Sequence, residues 1–163
     1  ASGGVGSYAV QLAKIKGACV AALAGTRNQA YMNELGADYV FDYKAPDYPD
    51  KIRKQIPEGV DLVFDCYGFE TAQQSVDFIK EGGRMVSIAH RGPDMKGRDI
   101  QFHYHFVDPN ALQLEEIARY LAQGKMKVNL TATYPLEQAE QAHQQIRTFH
   151  TQGKIVLLTE KNT

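Results

Sequence analysis

The sequence predicts an α/β protein in which helices cover a parallel sheet on both faces. Short apolar runs alternate with longer helical patterns, these runs lack polar alternation, and a glycine-rich turn opens the first helix. Parallel strands need crossover connections, which are right-handed and produce a doubly wound arrangement. With 163 residues, of which 44% are hydrophobic, the chain can bury one sizeable core.

The first half of the chain contains four predicted strands, each preceded by a helix. The first helix ends at Gly17, and its apolar face is predicted to contain Val5, Ala9, Leu12 and Ala13. The run "CVAALA" then reads as a buried strand. The following helices are predicted at 28–35, 46–56 and 71–79, and the strands after them in "DYVFDY", "VDLVFDC" and "GGRMVSIA".

The pattern changes after Ala89, where "HRGPDMKGRD" forms a polar loop before the strand "IQFHYHFV". A helix striped by Leu114, Ile117, Ala118 and Leu121 ends at Gly124. The strand "VNLTATY", a helix opened by Pro135 and the strand "KIVLLT" follow.

Composition excludes several classes of function. Lys and Arg total 18 against 19 Asp and Glu, so there is no basic excess for nucleic acid or an anionic membrane. The apolar runs are too short to span a bilayer and no signal segment starts the chain, which makes a cytoplasmic location the default expectation. Cys19 and Cys66 lie in apolar runs and are expected to be reduced.

The opening turn carries the first chemical signal. Ala1, Gly3 and Gly6 occupy the three positions of the dinucleotide fingerprint, with Ala replacing the first Gly. The second position lets the backbone approach a pyrophosphate, and the third lets the helix pack closely on the sheet. Glycine-rich turns also occur in purely structural contexts, so the turn alone leaves a dinucleotide site and a structural turn both open.

The end of the second strand decides which dinucleotide is favoured. NAD-binding proteins place an acidic residue there for the ribose hydroxyls, whereas this chain has Gly25, Thr26, Arg27 and Asn28. A guanidinium without a neighbouring carboxylate suits a 2′-phosphate, which favours NADPH over NADH. The alternative is that Arg27 and Asn28 only begin and solvate a helix.

Six stretches together resemble the medium-chain dehydrogenase/reductase superfamily, in its zinc-free quinone oxidoreductase branch. They are "ASGGVGSYAVQLAKIKGA", "TRN…ELGADYVFDYK", "VDLVFDCYGFET", "KEGGRMVSI", "YPLEQAEQAH" and "HTQGKIVLL". The resemblance implies a Rossmann-like NADP-binding domain over 1–106 and a C-terminal segment over 107–163 that packs toward a GroES-like catalytic domain. It also implies that the first Rossmann strand and the N-terminal catalytic domain would precede Ala1, so we expect a chain that lacks both.

The resemblance also implies roles for individual residues. The pyrophosphate would be held by Ser2, Gly3, Gly4, Val5 and Gly6, and the adenosine ribose with its 2′-phosphate by Gly25, Arg27 and Tyr43. The nicotinamide side would be formed by Tyr67, Gly68, Ser87, Ile88 and Ala89. His103 and Tyr104 are weaker candidates, for which a strand at a dimer edge is an equal reading.

Other chemistries find less support in the sequence. His103 and His105 share one strand face, but no third ligand is evident for a metal, and none is predicted. No Tyr and Lys stand four residues apart, as short-chain reductases require. The carboxylates Asp42, Asp61 and Asp65 are expected to cap turns, His143 and His150 to lie at the surface, and the catalytic residue stays unknown.

These observations favour an NADPH-dependent oxidoreductase that transfers hydride to a quinone, enone or similar activated double bond. Two alternatives stay open: a zinc-dependent alcohol dehydrogenase of the same superfamily and a non-enzymatic NADPH-binding module. The expected partners are a small-molecule substrate and a second copy of the chain, since the resemblance implies a homodimer formed at the "IQFHYHFV" edge strand.

Overall fold

The computed structural model describes residues 1–89 and 91–159, in which helices and strands alternate as the sequence predicts. His90, which opens the predicted polar loop, lies outside the described residues. The helices and strands are α1 Gly6–Ile15, β1 Ala21–Ala24, α2 Gln29–Glu34, β2 Tyr39–Asp42, α3 Tyr48–Gln55, β3 Val60–Asp65, α4 Phe69–Ser75, β4 Ile79–Ser87, β5 Gln101–Tyr104, α5 Ala111–Ala122, β6 Leu130–Pro135, α6 Ala139–Arg147 and β7 Lys154–Leu158.

The chain forms two compact units. The first contains residues 1–40 with the described residues from 111 onward, and the second contains residues 41–110. In the second unit, β3, β4 and β5 form a parallel sheet in that order. In the first unit, β6 and β7 form a parallel pair. Strand β1 pairs with β2, and the boundary between the units falls inside β2, after Val40. The α/β class with parallel strands is therefore confirmed, while the boundary between 106 and 107 stays a prediction.

Each unit has its own hydrophobic core. The core of the first unit contains Val10, Ala22, Ala24, Met32 and Leu35. The core of the second contains Ala72, Val76, Ile79 and Met85. Helices α1 and α2 are followed by Gly17 and Gly36, whose φ angles of 83° and 92° terminate them as the sequence predicts.

Helix α1 buries a different face from the predicted one. Val5 is 47% exposed, whereas Val10 and Gln11 are buried. The amide of Gln11 donates to Ser7 O at 2.9 Å and to Lys127 O at 3.1 Å. These partners satisfy the buried glutamine, and the predicted Ala9, Leu12 and Ala13 are only half-buried.

The strand predicted from "CVAALA" is shorter than expected, and Cys19 lies before it in an exposed position. Side chains bind this segment: Asp38 accepts from Val20 N at 2.7 Å, and Lys14 Nζ donates to Ala18 O at 3.0 Å. Val20 O also accepts from the backbone N–H groups of Asp38 and Tyr39, at 2.9 Å and 3.1 Å, although the strand itself begins at Ala21.

Two elements are less covered than their apolar patterns predict. In β3, Leu62 and Phe64 are 53% and 42% exposed, so helices do not cover both faces of this strand. In α5 no residue is buried, although the helix forms where expected. Apolar periodicity predicts which side chains share a face, but it does not supply the surface that covers them. Across the described residues, no helix is long and apolar enough to cross a membrane.

Candidate functional site

The glycine-rich turn leads directly into α1 in the first unit. Val5, at the N-cap position, forms no side-chain cap, and the first helical turn contains no acidic residue. The N–H groups and partial positive charge of this helix end are therefore not neutralised by a carboxylate of the turn. Such an end is suited to an anionic group.

The three glycines of the turn differ in how much room a side chain would have at each position. A Cβ built at Gly6 would overlap the carbonyl oxygen of Ala1 and lie 2.7 Å from its carbon. At Gly4 it would lie 3.1 Å from both Gly153 O and Lys154 Nζ. At Gly3 it would meet nothing within 4 Å, and Gly3 does not have a positive φ. Packing thus explains Gly6 and restricts Gly4, but neither packing nor backbone conformation explains Gly3.

The loop after β1 is tied to this turn by side-chain contacts. Asn28 Nδ2 donates to Ser2 Oγ at 2.7 Å, and Asn28 N donates to Gly25 O at 2.8 Å. Ser2 O in turn accepts from Gly153 N at 3.0 Å. The structure therefore brings together two of the predicted stretches, residues 2–6 and 25–28.

Arg27 lies in this loop and is exposed. Its guanidinium makes no ion pair with the part of the chain that the structure describes, and it lines a cavity of about 390 Å³. Lys127 lines the same cavity. Its backbone N–H donates to Gln11 Oε1 at 2.8 Å, and its backbone oxygen accepts from Gln11 Nε2 at 3.1 Å. Glu34 adds one carboxylate, so the cavity has two cations and one anion.

In the second unit, the predicted residues after β3 and β4 lie at neighbouring strand ends. Asp65 and Ser87 are partners in the register of the parallel sheet. Tyr67 and Gly68 form a turn after β3, and the backbone N–H groups of both residues donate to the carboxylate of Asp65. Ser87 is fully buried, whereas Ile88 is half-buried and Ala89 exposed. Carboxyl ends of parallel strands are the usual ligand edge of such a sheet.

The remaining candidates also lie in the second unit. Tyr104 is the register partner of Ser87 in β5, which places it at the same sheet end, and His103 is exposed one residue before it. Tyr43 follows β2 and is 39% exposed. Their predicted contacts with a cofactor stay predictions.

Comparison with known proteins establishes the family. Residues 35–157 match the family model described as zinc-binding dehydrogenase. The chain belongs to this family. The match confirms the resemblance drawn from the six sequence stretches.

Relatives in this family cover nearly the whole chain. It is 33% identical over 96% of its length to an NADPH-dependent alkenal/one oxidoreductase of Arabidopsis thaliana, and covers 38% of that protein. It is 31% identical over 97% of its length to a quinone oxidoreductase of Sus scrofa, and covers 52% of that protein. The chain thus spans about half the length or less of the curated relatives it matches.

Solved structures agree on the fold. The quinone oxidoreductase of Coxiella burnetii superposes with a TM-score of 0.88 at 29% identity, over 98% of this chain and 50% of the other. An NAD-dependent alcohol dehydrogenase superposes with a TM-score of 0.89 at 28% identity, over 98% and 49%. Both members of the superfamily therefore share the backbone of this chain.

The described residues offer no metal-binding cluster, and the thiol of Cys66 is not an activated one. The rings of His103 and His105 lie 6.1 Å apart, and no group of three or more His, Cys, Asp or Glu that could hold a metal is present in residues 1–89 and 91–159. Both cysteines are free thiols. Burial raises the pKa of Cys66 to about 11, which keeps this thiol protonated at neutral pH.

Three side chains hold the candidate segments in place, and sequence reasoning missed the contacts of two of them, Gln11 and Asn28. Gln11 binds the backbone of Lys127, Asn28 binds Ser2, and Asp65 binds the Tyr67–Gly68 turn. The expectation that Asp65 caps a turn is confirmed, since its carboxylate accepts from the N–H groups of Tyr67 and Gly68. The contact between Gln11 and Lys127 joins residues 116 positions apart and has no local pattern.

Proposed function

We propose that the complete protein is an NADPH-dependent oxidoreductase that transfers hydride to a quinone, enone or similar activated double bond. The main observation in its favour is the uncapped glycine turn, in which only Gly3 faces open space that a Cβ would enter. The names of the relatives, a quinone oxidoreductase and an NADPH-dependent alkenal/one oxidoreductase, support the same class of reaction.

The first unit would bind the pyrophosphate and adenosine end of the cofactor. Backbone N–H groups of residues 2–6 can donate to phosphate oxygens at the helix end. The loop at 25–28 contains no acid, and the unpaired Arg27 offers a charge-assisted contact to a 2′-phosphate. Glu34 in the same cavity weakens this attraction, while Lys127 strengthens it.

The second unit would bind the nicotinamide end. Tyr67, Gly68 and the residues 87–89 offer backbone groups at adjacent strand ends, next to Tyr104. When bound, the reduced nicotinamide supplies the hydride, and the protein's task is to orient it and exclude competing reactions. In this proposal the described chain provides no proton donor for the substrate.

Two other functions remain candidates on specific observations. The similarity to an NAD-dependent alcohol dehydrogenase keeps a zinc-dependent alcohol dehydrogenase as the alternative, with its metal ligands outside the described residues. The absence of an assigned catalytic side chain keeps a non-enzymatic NADPH-binding module as the other.

A turnover assay separates the three. The complete protein is incubated with NADPH and a panel of quinones, enones and alcohols, and its metal content is measured by mass spectrometry. Oxidation of NADPH by quinones or enones without stoichiometric zinc supports the proposal. Alcohol oxidation with bound zinc supports the dehydrogenase, and binding of NADPH without any turnover supports the binding module.

A further inference from the structure

Asp65 connects the two strand ends of the second unit. Its side chain is buried, and its Oδ1 accepts from Tyr67 N at 3.0 Å and Gly68 N at 2.8 Å. Its Oδ2 accepts from Ser87 Oγ at 2.6 Å. One carboxylate therefore binds the turn after β3 and the end of β4 at the same time.

Ser87 extends this network into the residues that follow it. Its hydroxyl accepts from Ala89 N at 3.1 Å, while the backbone oxygen of Asp65 accepts from Ile88 N at 3.0 Å. The last residue of β4 and the two residues after it are thus fixed by atoms of Asp65 or by the hydroxyl that Asp65 binds.

The turn that Asp65 holds is strained. Gly68 has φ 84° and ψ −154°, and the next residue, Phe69, has φ 55° although it is not glycine. The Phe69 side chain is 74% exposed, so burial does not hold it in this conformation. Strained backbone persists only where surrounding contacts determine it, and the two hydrogen bonds to Oδ1 are such contacts.

A carboxylate suits this position better than an amide. All three side-chain contacts of Asp65 are made to donors, and a carboxylate has acceptor sites on both oxygens. An asparagine would turn an amide N–H toward Ser87 Oγ, which would leave the serine O–H without this acceptor.

Asp61, at the other end of β3, shows that position and not residue type produces the network. Its side chain is 89% exposed and forms an ion pair with Lys80 at 3.0 Å. Both aspartates belong to the same strand, yet only Asp65 reaches the strand ends that carry predicted site residues.

We propose that Asp65 is a positioning residue that fixes the Tyr67–Gly68 turn and residues 87–89 in one arrangement, and thereby aligns the nicotinamide for hydride transfer. In this proposal Asp65 acts through the segments that it binds and not through a contact with the cofactor. The proposal rests on the proposed function, because it requires that these segments face the nicotinamide ring.

The test uses Ser87→Ala and Asp65→Asn in the complete protein, with Ser75→Ala as the matched control. Ser75 is also a buried serine of the second unit, but its hydroxyl donates to Thr71 O at 2.7 Å within α4. Calorimetry measures binding of NADPH and of adenosine 2′,5′-bisphosphate, which lacks the nicotinamide. Stopped-flow kinetics with 4-deuterated NADPH measure the isotope effect on hydride transfer.

The expected result is selective. The two network variants should weaken NADPH binding by up to roughly tenfold to hundredfold, because the energy of one hydrogen bond to a charged group limits what the positioning can contribute. They should also raise the isotope effect on turnover, while binding of the bisphosphate and all properties of Ser75→Ala stay unchanged.

Three results would be adverse, one to the proposed function and two to the positioning role. If the unsubstituted protein does not bind NADPH, the proposed function fails. If it does, but Ser87→Ala and Asp65→Asn behave like Ser75→Ala, the positioning role is wrong. Loss of folding in both network variants, measured by circular dichroism, also overturns the positioning role. The network would then be required for folding of the whole protein and not for the placement of one turn.

Discussion

The two candidate turns of this protein are kept in place by different means. In the first unit, the turn at residues 2–6 depends on missing side chains, since a Cβ at Gly6 would overlap Ala1. In the second unit, the turn at Tyr67–Gly68 depends on a side chain that is present, the buried carboxylate of Asp65. One turn is thus shaped by the absence of side-chain atoms, and the other by the presence of a buried acceptor.

The first prediction tests the glycine turn and carries the largest expected effect. Gly6→Val should abolish folding of the complete protein, because its side chain would meet backbone atoms of Ala1 that cannot move aside cheaply. Gly3→Ala is the matched variant, since its Cβ would enter open space. It should fold normally yet bind NADPH much more weakly.

Circular dichroism and calorimetry measure both effects. If Gly6→Val is folded and binds NADPH normally, the close approach is not required. If Gly3→Ala binds NADPH as tightly as the unsubstituted protein, the open space at Gly3 is not the pyrophosphate site.

The second prediction concerns assembly at β5, next to the second turn. This strand is at the end of its sheet, and Phe106 just beyond it is 76% exposed. We expect a homodimer through this edge, which Phe106→Glu should convert to monomers by placing a charge in the contact. Phe149→Glu is the control, since Phe149 is 82% exposed in the first unit.

Light scattering at micromolar concentration tests this prediction. The substitution is placed at Phe106 and not at His105, because His105 N donates to Ser87 O at 2.9 Å and a change there would disturb the end of β4. A monomeric unsubstituted protein, or a dimer that survives Phe106→Glu, would show that this edge is not the interface.

The third prediction compares the reactivity of the two cysteine thiols and needs no substitution. Cys66 follows Asp65, and burial raises its thiol pKa to about 11, whereas Cys19 is exposed. Iodoacetamide at neutral pH should therefore label Cys19 much faster than Cys66, as read by mass spectrometry of peptides. In denaturant the two should react alike. Equal labelling of the folded protein would mean that the turn around Cys66 opens readily.

The sequence predicted the elements well because their signals are local. Apolar runs placed the strands, and glycines at 17, 36 and 124 ended helices where left-handed residues were needed. The buried face of α1 and the exposure of Cys19 were not predictable in this way. The contacts found there, of Gln11 with Lys127 and of Asp38 with Val20, join residues 116 and 18 positions apart.

The same difference applies to the candidate site. The dinucleotide fingerprint is a short pattern, so residues 2–6 could be identified from the sequence. The network of Asp65 and Ser87 joins residues 22 positions apart through strand register, which no local pattern specifies. Features of a site that come from register need the structure.

The most direct test of the proposed cofactor role compares calorimetric affinities of the complete protein for NADPH and NADH, with and without Arg27→Ala. The acid-free loop at 25–28 and its exposed guanidinium predict tighter binding of NADPH. The Arg27→Ala substitution should remove most of the difference, on the order of 1.5–3 kcal/mol or roughly tenfold to hundredfold. Equal affinities for the two cofactors, or a preference for NADPH that Arg27→Ala leaves intact, would contradict the account.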